Sequence, residues 1–408
     1  MDLIKMELVE IKDKTGVQDQ LRITKSASFR STPTAQKIAM VGFDDVLYQM
    51  LDRITGGEPA RQIMPIVGMG GIGKTTLARN IYVHPLVKEH FDACSWSTIS
   101  QHYNAQEILR QVLDGVGKGN IGDLNEHELG EQLSKYLIGR RYFIVMDDMW
   151  DIEAWDQVRR FFPDNENGSR VVVTTRLSNL ASMFNYSNGL DMKFLDEATS
   201  WNLFSKTVFG EEICPLELED IGRKIVRGCK GLPLSLVVIG GLLSKSEQTL
   251  ENWESIEGNL SSVVNMEDSE TCLQILYMSY INLPVYIKPC YLYMGGIFGE
   301  DVVIPVSLIM LMWVAEGFVK PIDGKSLEEA AEECLEELVD RNLVLVEERN
   351  HHGRVKSCKI HDHSRDLCLR EARKSKFLYV VESQSIPHSI DSQRRIVCRL
   401  SEFPTPLI

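Results

Sequence analysis

The sequence has no hydrophobic run long enough to cross a membrane. Its longest apolar stretches, Leu232–Leu243 and Val306–Val319, fall short of the roughly 20 residues a bilayer demands and read as buried helices. Excess positive charge is missing too. A formal net charge of −14 weighs against nucleic acid or an anionic membrane as the main partner. The nine cysteines show no paired spacing and no secretory signal opens the chain, so free thiols in a reducing, cytoplasmic setting are expected rather than disulfides. No fixed-period repeat is present. What remains is ordinary: 44% hydrophobic and 25% charged over 408 residues, room for roughly two to four domains.

Against that background one stretch stands out: Gly68-Met69-Gly70-Gly71-Ile72-Gly73-Lys74-Thr75, a complete phosphate-binding loop. It follows an apolar run, Ile63–Val67, and precedes a helical pattern beginning at Thr76, the strand–loop–helix context the motif requires. Glycines let backbone N–H groups converge on phosphates, and the helix N-terminus adds its positive end. Lys74 would reach the β- and γ-phosphates and Thr75 would ligate Mg²⁺. A ligand-free glycine turn is the bland alternative, which the full match in context disfavours.

Before the loop, residues 1–40 read as the remnant of a helix or a frayed terminus, then a polar linker; a helix follows at Val46–Ile54. Strands are expected at Cys94–Ile99, Tyr142–Met146 and Arg170–Arg176. Helices are expected at Ala105–Val116, Glu126–Leu137 and Glu153–Phe161. Strands alternating with helices, each strand apolar throughout, predict a parallel α/β sheet buried on both faces. Lys74, Asp147 and Arg176 would emerge at the strands' carboxyl ends, where such sheets bind ligands. After Phe194 the pattern turns helical: Trp201–Phe209, Leu218–Cys229, Pro233–Leu243 and Trp253–Leu260. Further helices run Leu273–Tyr280, Val285–Tyr293, Ile304–Ala315 and Leu327–Leu338. Extended segments Leu343–Val346 and Val355–Ile360 then flank a turn. Helices followed by a hairpin make a winged helix. Residues 321–348 carry ten acidic and two basic residues, and residues 349–376 nine basic and three acidic. A solvated acidic helix beside a basic face is expected, the sharper reading being that the two touch.

Asp147 ends an apolar strand some 70 residues beyond the phosphate loop, the place of the carboxylate that holds Mg²⁺. Asp148 either caps the strand or orients a water, and an Asp there in place of a Glu predicts slow hydrolysis. A cation at Arg176 would interact with ATP more than with ADP, coupling nucleotide state to shape; a surface arginine is the alternative. Gly231-Leu232-Pro233-Leu234 on its own reads as a helix start. His361 and Asp362, among His351, His352, Cys358 and His363, match no compact zinc spacing, and a phosphate contact suits His361 better.

Together these motifs resemble the NB-ARC nucleotide-binding module of plant coiled-coil-type NLR immune receptors, within the STAND ATPases, and most of all the solanaceous receptors related to late-blight resistance proteins. The ordered set runs from Val41-Gly42-Phe43 through the phosphate loop, Tyr142–Trp150, Gly168–Arg176, Trp201–Phe204, Gly231–Leu234, Cys290–Tyr293 and Trp313–Val319 to Ile360-His361-Asp362. The resemblance implies a P-loop domain (41–195), a helical domain (196–268) and a winged-helix domain (269–376). They would lie between an N-terminal remnant (1–40) and a segment (377–408) preceding leucine-rich repeats. It implies nucleotide contacts from Val41, Gly70, Gly71, Ile72, Gly73, Lys74, Thr75, Thr76, Arg176, Pro233 and His361, catalytic roles for Asp147 and Asp148, and Mg²⁺ on Thr75 and Asp147.

The implied function is a plant-defence switch, ADP-bound and monomeric at rest. Exchange for ATP would open it for oligomerisation and hypersensitive cell death. The family's coiled coil and leucine-rich repeats are absent here and would be its partners, along with a pathogen effector or another NLR. Enzymatic activity would be at most that of a slow P-loop ATPase. A turnover ATPase or kinase and a nucleic-acid-binding regulator are the alternatives. Three departures from the family pattern are Ile360 for the usual Met, Phe298-Gly299-Glu300-Asp301 with Gly in place of Pro, and Cys94 for the usual Arg.

Overall fold

The computed structural model describes residues 41–99, 103–117, 124–184, 189–261, 268–299, 302–321, 324–381 and 394–398. The expected N-terminal remnant and linker, Glu300 and Asp301, and the chain from Arg399 onward lie outside the described residues.

The first region interleaves α1 (Asp44–Thr55), β1 (Gln62–Val67), α2 (Lys74–Val83), α3 (Pro85–His90), β2 (Ala93–Thr98), α4 (Ala105–Gly115) and α5 (Glu126–Leu137). It continues through β3 (Tyr142–Asp147), α6 (Ile152–Val158), β4 (Arg170–Thr175), α7 (Ser178–Met183) and β5 (Leu190–Asp191). The strands form one sheet in the order β2-β3-β4-β1-β5, every pairing parallel. Unbroken apolar strands are explained by burial on both faces. Tyr142, Ile144 and Met146 of β3 join the cluster holding Leu109 of α4 and Leu133 of α5, while Phe143 and Val145 join Leu77 and Ile81 of α2. Two-residue β5 has no periodicity to betray it and no counterpart among the expected strands; it pairs with Ile66 and Val67.

Four helices follow: α8 (Glu197–Phe209), α9 (Leu216–Gly228), α10 (Pro233–Ser244) and α11 (Leu250–Ser261). An all-round apolar helix such as α10 must be enclosed. It packs on α8 and on α12 (Asp268–Ile281). Beyond α12 come α13 (Lys288–Ile297), β6 (Ile304–Pro305), α14 (Val306–Ala315), α15 (Leu327–Asp340), β7 (Leu345–Arg349), β8 (Val355–Lys359) and α16 (Asp362–Lys374). The antiparallel sheet β6-β8-β7 against these helices is the wing. A parallel pair not foreseen in the sequence, β9 (Tyr379–Val381) with β10 (Ile396–Cys398), lies beyond it.

Two of the expected boundaries that move do so at prolines. Ile304, expected to open a helix, instead pairs with Cys358, because the residue before Pro305 is driven to extended backbone. The helix expected from Val285 begins at Lys288, with Pro289 in its first turn where proline is tolerated; Val285 and Tyr286 are exposed. The acidic helix and the basic segment do touch: Arg354 lies 3.4 Å from Glu332 and Arg349 4.0 Å from Glu336. These pairs are well exposed and contribute little.

The start of α16 is held firmly. Tyr291 Oη donates to the Ser364 carbonyl at 3.2 Å, and Arg365 Nε to the Phe298 carbonyl at 3.2 Å. Gly295 lets α16 come so close that a Cβ there would meet Cys368 Cβ at 2.4 Å. His361 and Asp362 are thereby fixed opposite the sheet's carboxyl edge.

Candidate functional site

Left-handed backbone at Gly71 (φ 77°) and Gly73 (φ 101°) carries the chain from β1 round into α2, a conformation that glycine adopts without a Cβ penalty. The turn buries Lys74, whose Nζ donates to the Met69 carbonyl at 3.0 Å. Burial pushes its ammonium down to about 8, Arg176 adding to the effect while Asp148 and Asp147 oppose it. One residue on, Thr75 Oγ1 donates to Asp147 Oδ1 at 3.0 Å, and Thr174 Oγ1 donates to the same oxygen at 2.6 Å. A hydroxyl beside a buried carboxylate at a phosphate loop is the hard-oxygen donor set that suits Mg²⁺, so these residues fit the ion.

Asp148 adopts φ 55°, unusual for a non-glycine residue. Its backbone N–H donates to Thr174 Oγ1 at 2.8 Å, and its carboxylate accepts from Trp150 Nε1 at 3.1 Å. Arg176 leaves β4 with its guanidinium 4.7 Å from the Trp150 ring centroid and its Nε 3.7 Å from Asp148 Oδ1. It is also ion-paired with Asp362 Oδ2 of the winged helix. His361, the N-cap of α16, has its Nδ1 against Asp362 Oδ1, which also accepts from the His363 N–H at 2.6 Å. Burial, then His363, Arg176, Lys74 and Lys359, hold the His361 pKa well below its ordinary value.

These groups surround a cavity of about 350 Å³, large enough for a small-molecule ligand. Its polar wall comes from Gly70, Gly71, Gly73, Lys74, Thr75, Thr76, Asp148, Arg176, His361 and Asp362. Its apolar wall comes from Val41, Phe43, Leu203, Pro233, Leu234, Val237, Leu345 and Val346. A flat apolar base and a charged polyphosphate would match that division. The Pro233 segment is bonded to the loop itself, Leu234 N–H donating to the Gly71 carbonyl at 3.2 Å. Gly231 makes the preceding turn with φ 72°, its Cα so close to β5's exit that a Cβ would meet the Leu195 carbonyl oxygen at 2.2 Å.

Of the residues expected in the site, Val41, Gly70, Gly71, Gly73, Lys74, Thr75, Thr76, Asp148, Arg176, Pro233 and His361 line this one cavity. Asp147 lies behind it, 2% exposed and reached through Thr75. Ile72 turns its side chain into the core cluster and is not among the lining residues, its N–H donating to the Met69 carbonyl at 3.4 Å. Cys94, on β2, receives the Tyr82 hydroxyl on its carbonyl at 3.5 Å and is not among the lining residues. Other participants escaped the sequence. Arg79 of α2 pairs with Glu347 of β7 at 2.8 Å, with Lys359 Nζ 3.7 Å from the same carboxylate oxygen. Trp150 backs Arg176, and His363 meets Gly70. His363 stood in the sequence beside His361 and Trp150 within the Tyr142–Trp150 motif, but nothing in their spacing assigned them these contacts.

The fold and its site thus define a P-loop nucleotide-binding module covered by a winged helix. The NB-ARC domain family matches residues 43–214, and the disease resistance protein winged helix domain matches residues 297–368. The chain carries an NB-ARC domain followed by a disease resistance protein winged helix domain. Late blight resistance protein R1-A of Solanum demissum is 37% identical over 383 residues, covering 92% of this chain and 29% of the relative. Putative late blight resistance protein homolog R1B-14 of the same species is 38% identical over 384 residues with the same coverage. The chain therefore spans under a third of the length of the curated relatives it matches. Among solved structures, a STAND protein with a tetratricopeptide repeat sensor from Pyrococcus horikoshii aligns with a TM-score of 0.50 at 16% identity, covering 81% of this chain and 43% of that one; the likeness is one of fold. Among the described residues no helix is long and apolar enough to cross a membrane.

Proposed function

We propose that this module is a cytoplasmic ADP/ATP switch of a plant immune receptor, closed around ADP as a monomer at rest. Exchange for ATP opens it for oligomerisation and defence signalling. The observation that carries the reading is a single cavity walled by the phosphate loop, the Pro233 turn and the His361–Asp362 start of α16. A ligand held there contacts all three regions, so its identity bears on their relative position. In this reading the coiled coil, the leucine-rich repeats and an effector or second NLR supply the input and output.

Arg176 is the discriminating group. Its guanidinium pairs with Asp362, and a terminal phosphate would compete for the same cation. Transfer of Arg176 from carboxylate to phosphate frees α16 from β4. Lys74 neutralises the phosphate chain, and Mg²⁺ on Thr75 and Asp147 would add positive charge there. Asp148 is already engaged by Trp150 and Arg176, which fits slow hydrolysis rather than rapid turnover.

Chromatography of nucleotide released by denaturing the purified chain is the test, with near-stoichiometric ADP expected. No nucleotide, fast steady-state hydrolysis, or DNA binding at low salt would each reject the proposal.

A further inference from the structure

His363 follows Asp362 in the first turn of α16 and is 7% exposed. A Cβ built on Gly70 would meet its Nε2 at 2.1 Å and its Cδ2 and Cε1 at 3.0 Å, and these are the three nearest atoms to that point. Gly70 is not among the glycines with positive φ, so alanine suits its backbone and the imidazole is what stands in the way. His361 backs the ring, with centroids 5.6 Å apart and planes at 22°. Among the described residues neither His363 nitrogen has a hydrogen-bond partner. Burial, then Arg176, Lys74 and Arg370, push its pKa down to about 4.

Shape alone holds such a ring in place. Two buried nitrogens without partners oppose the contact, and separation would return both to water. The contact is therefore tight in geometry yet readily given up, which suits a joint between domains that part.

We infer that His363 is a positioning residue of the nucleotide site, a wedge that transmits the shape of the phosphate loop at Gly70 to the winged-helix domain. The inference rests on the switch reading. It differs from the Arg176–Asp362 pair in its physics, because it is a steric contact with loop backbone and does not depend on charge. A phosphate loop that shifts at Gly70 displaces the ring, and α16 moves with it.

A double-mutant cycle on the 408-residue chain tests this, using Gly70→Ala, His363→Ala and the two combined, with His363→Phe as the ring-preserving variant. One readout is the dissociation rate of a fluorescent ADP analogue chased with unlabelled ADP; the other is the thermal midpoint without nucleotide. Gly70→Ala should speed ADP loss by ~10-fold or more and lower the midpoint. Adding His363→Ala should bring both back to within ~2-fold, or within error, of His363→Ala alone, as coupling between touching residues requires. Gly70→Ala should remain harmful when His363 is Phe. Wild-type behaviour of Gly70→Ala, or independent addition of the two effects, would overturn the wedge. Failure of every variant and the wild type to bind ADP would instead refute the switch reading, and the midpoint cycle would still decide the wedge.

Discussion

Arg176, at the end of β4, is ion-paired with Asp362, the first residue of α16, so the nucleotide-binding sheet and the winged helix share a charge across the cavity. Arg176 is 20% and Asp362 13% exposed, and removal of one partner leaves the other poorly solvated. Asp362→Asn should weaken the closed form by on the order of 3 kcal/mol. ADP release should then quicken by roughly a hundredfold. Stopped-flow release of labelled ADP checks this, and an unchanged rate would show the pair to be incidental.

Lys74 is buried with its Nζ on the Met69 carbonyl, set to trade that contact for phosphate oxygens. Lys74→Ala should weaken nucleotide binding by ~100-fold or more, since charge-assisted bonds to phosphate are the strong ones. Even Lys74→Arg, too bulky and planar for the turn, should abolish function. Calorimetric titration with ADP and ATP measures both, and near wild-type affinity in either would count against the assignment.

Acid should open the module. His363 is pushed down to about 4 and His361 well below 6.5, among Lys74, Arg176, Lys359 and Arg370, with Asp362 the nearby carboxylate. Both rings are neutral in closed and open forms above pH 6.5, so no penalty applies there. As pH falls from 6.5 toward 4, a released ring takes up a proton that the closed form refuses. Each such histidine then costs the closed form about 1.4 kcal/mol per pH unit. Protection factors of α16 amides, corrected for the intrinsic pH dependence of exchange, should therefore fall between about pH 6.5 and 5, and less so in His363→Phe. Identical pH slopes for the two proteins would contradict the assignment.

Arg79 and Glu347 join α2 to β7 at 2.8 Å, 14% and 10% exposed. A double-alanine cycle should show a coupling of about 1 kcal/mol or more in thermal stability. Lys359 beside the same carboxylate should leave Glu347→Ala the more harmful single change, because it strands two cations. Additive single effects would mean that the ion pair does not link the domains.

Gly231 combines a φ of 72° with a Cβ position 2.2 Å from the Leu195 carbonyl oxygen. Gly231→Ala should cost about 2 kcal/mol or more from strain alone and displace Pro233 from the cavity wall. Lowered thermal stability together with weakened ADP binding is expected. A loss of stability without a binding defect would separate the turn from the site.

Much of this was readable in the residues. The phosphate loop, the apolar strands ending at Asp147 and Arg176, and the amphipathic spacing of α4, α5 and α15 are local signals, set by the neighbours in sequence. Strand β5 and the β9–β10 pair were not, because strands of two or three residues gain their identity from a partner strand and carry no period of their own. Ile304 and Val285 misled for a related reason: apolar spacing continued past prolines whose backbone restrictions end or delay the helix.

What the sequence determined alone is the chemistry available at each place: a glycine turn for phosphates, a lysine and a threonine behind it, carboxylates at a strand end, a histidine after a late extended segment. Which of these meet was decided by tertiary structure. Gly70 became the seat of His363 and Gly71 the acceptor for Leu234. Arg176 acquired Asp362, and Arg79 acquired Glu347. Each pairing joins residues far apart in the chain, through contacts that exist only when three packed regions close on one cavity. Local pattern contains no term for such contacts, because their energy comes from excluded volume and charge across space rather than from spacing along the backbone.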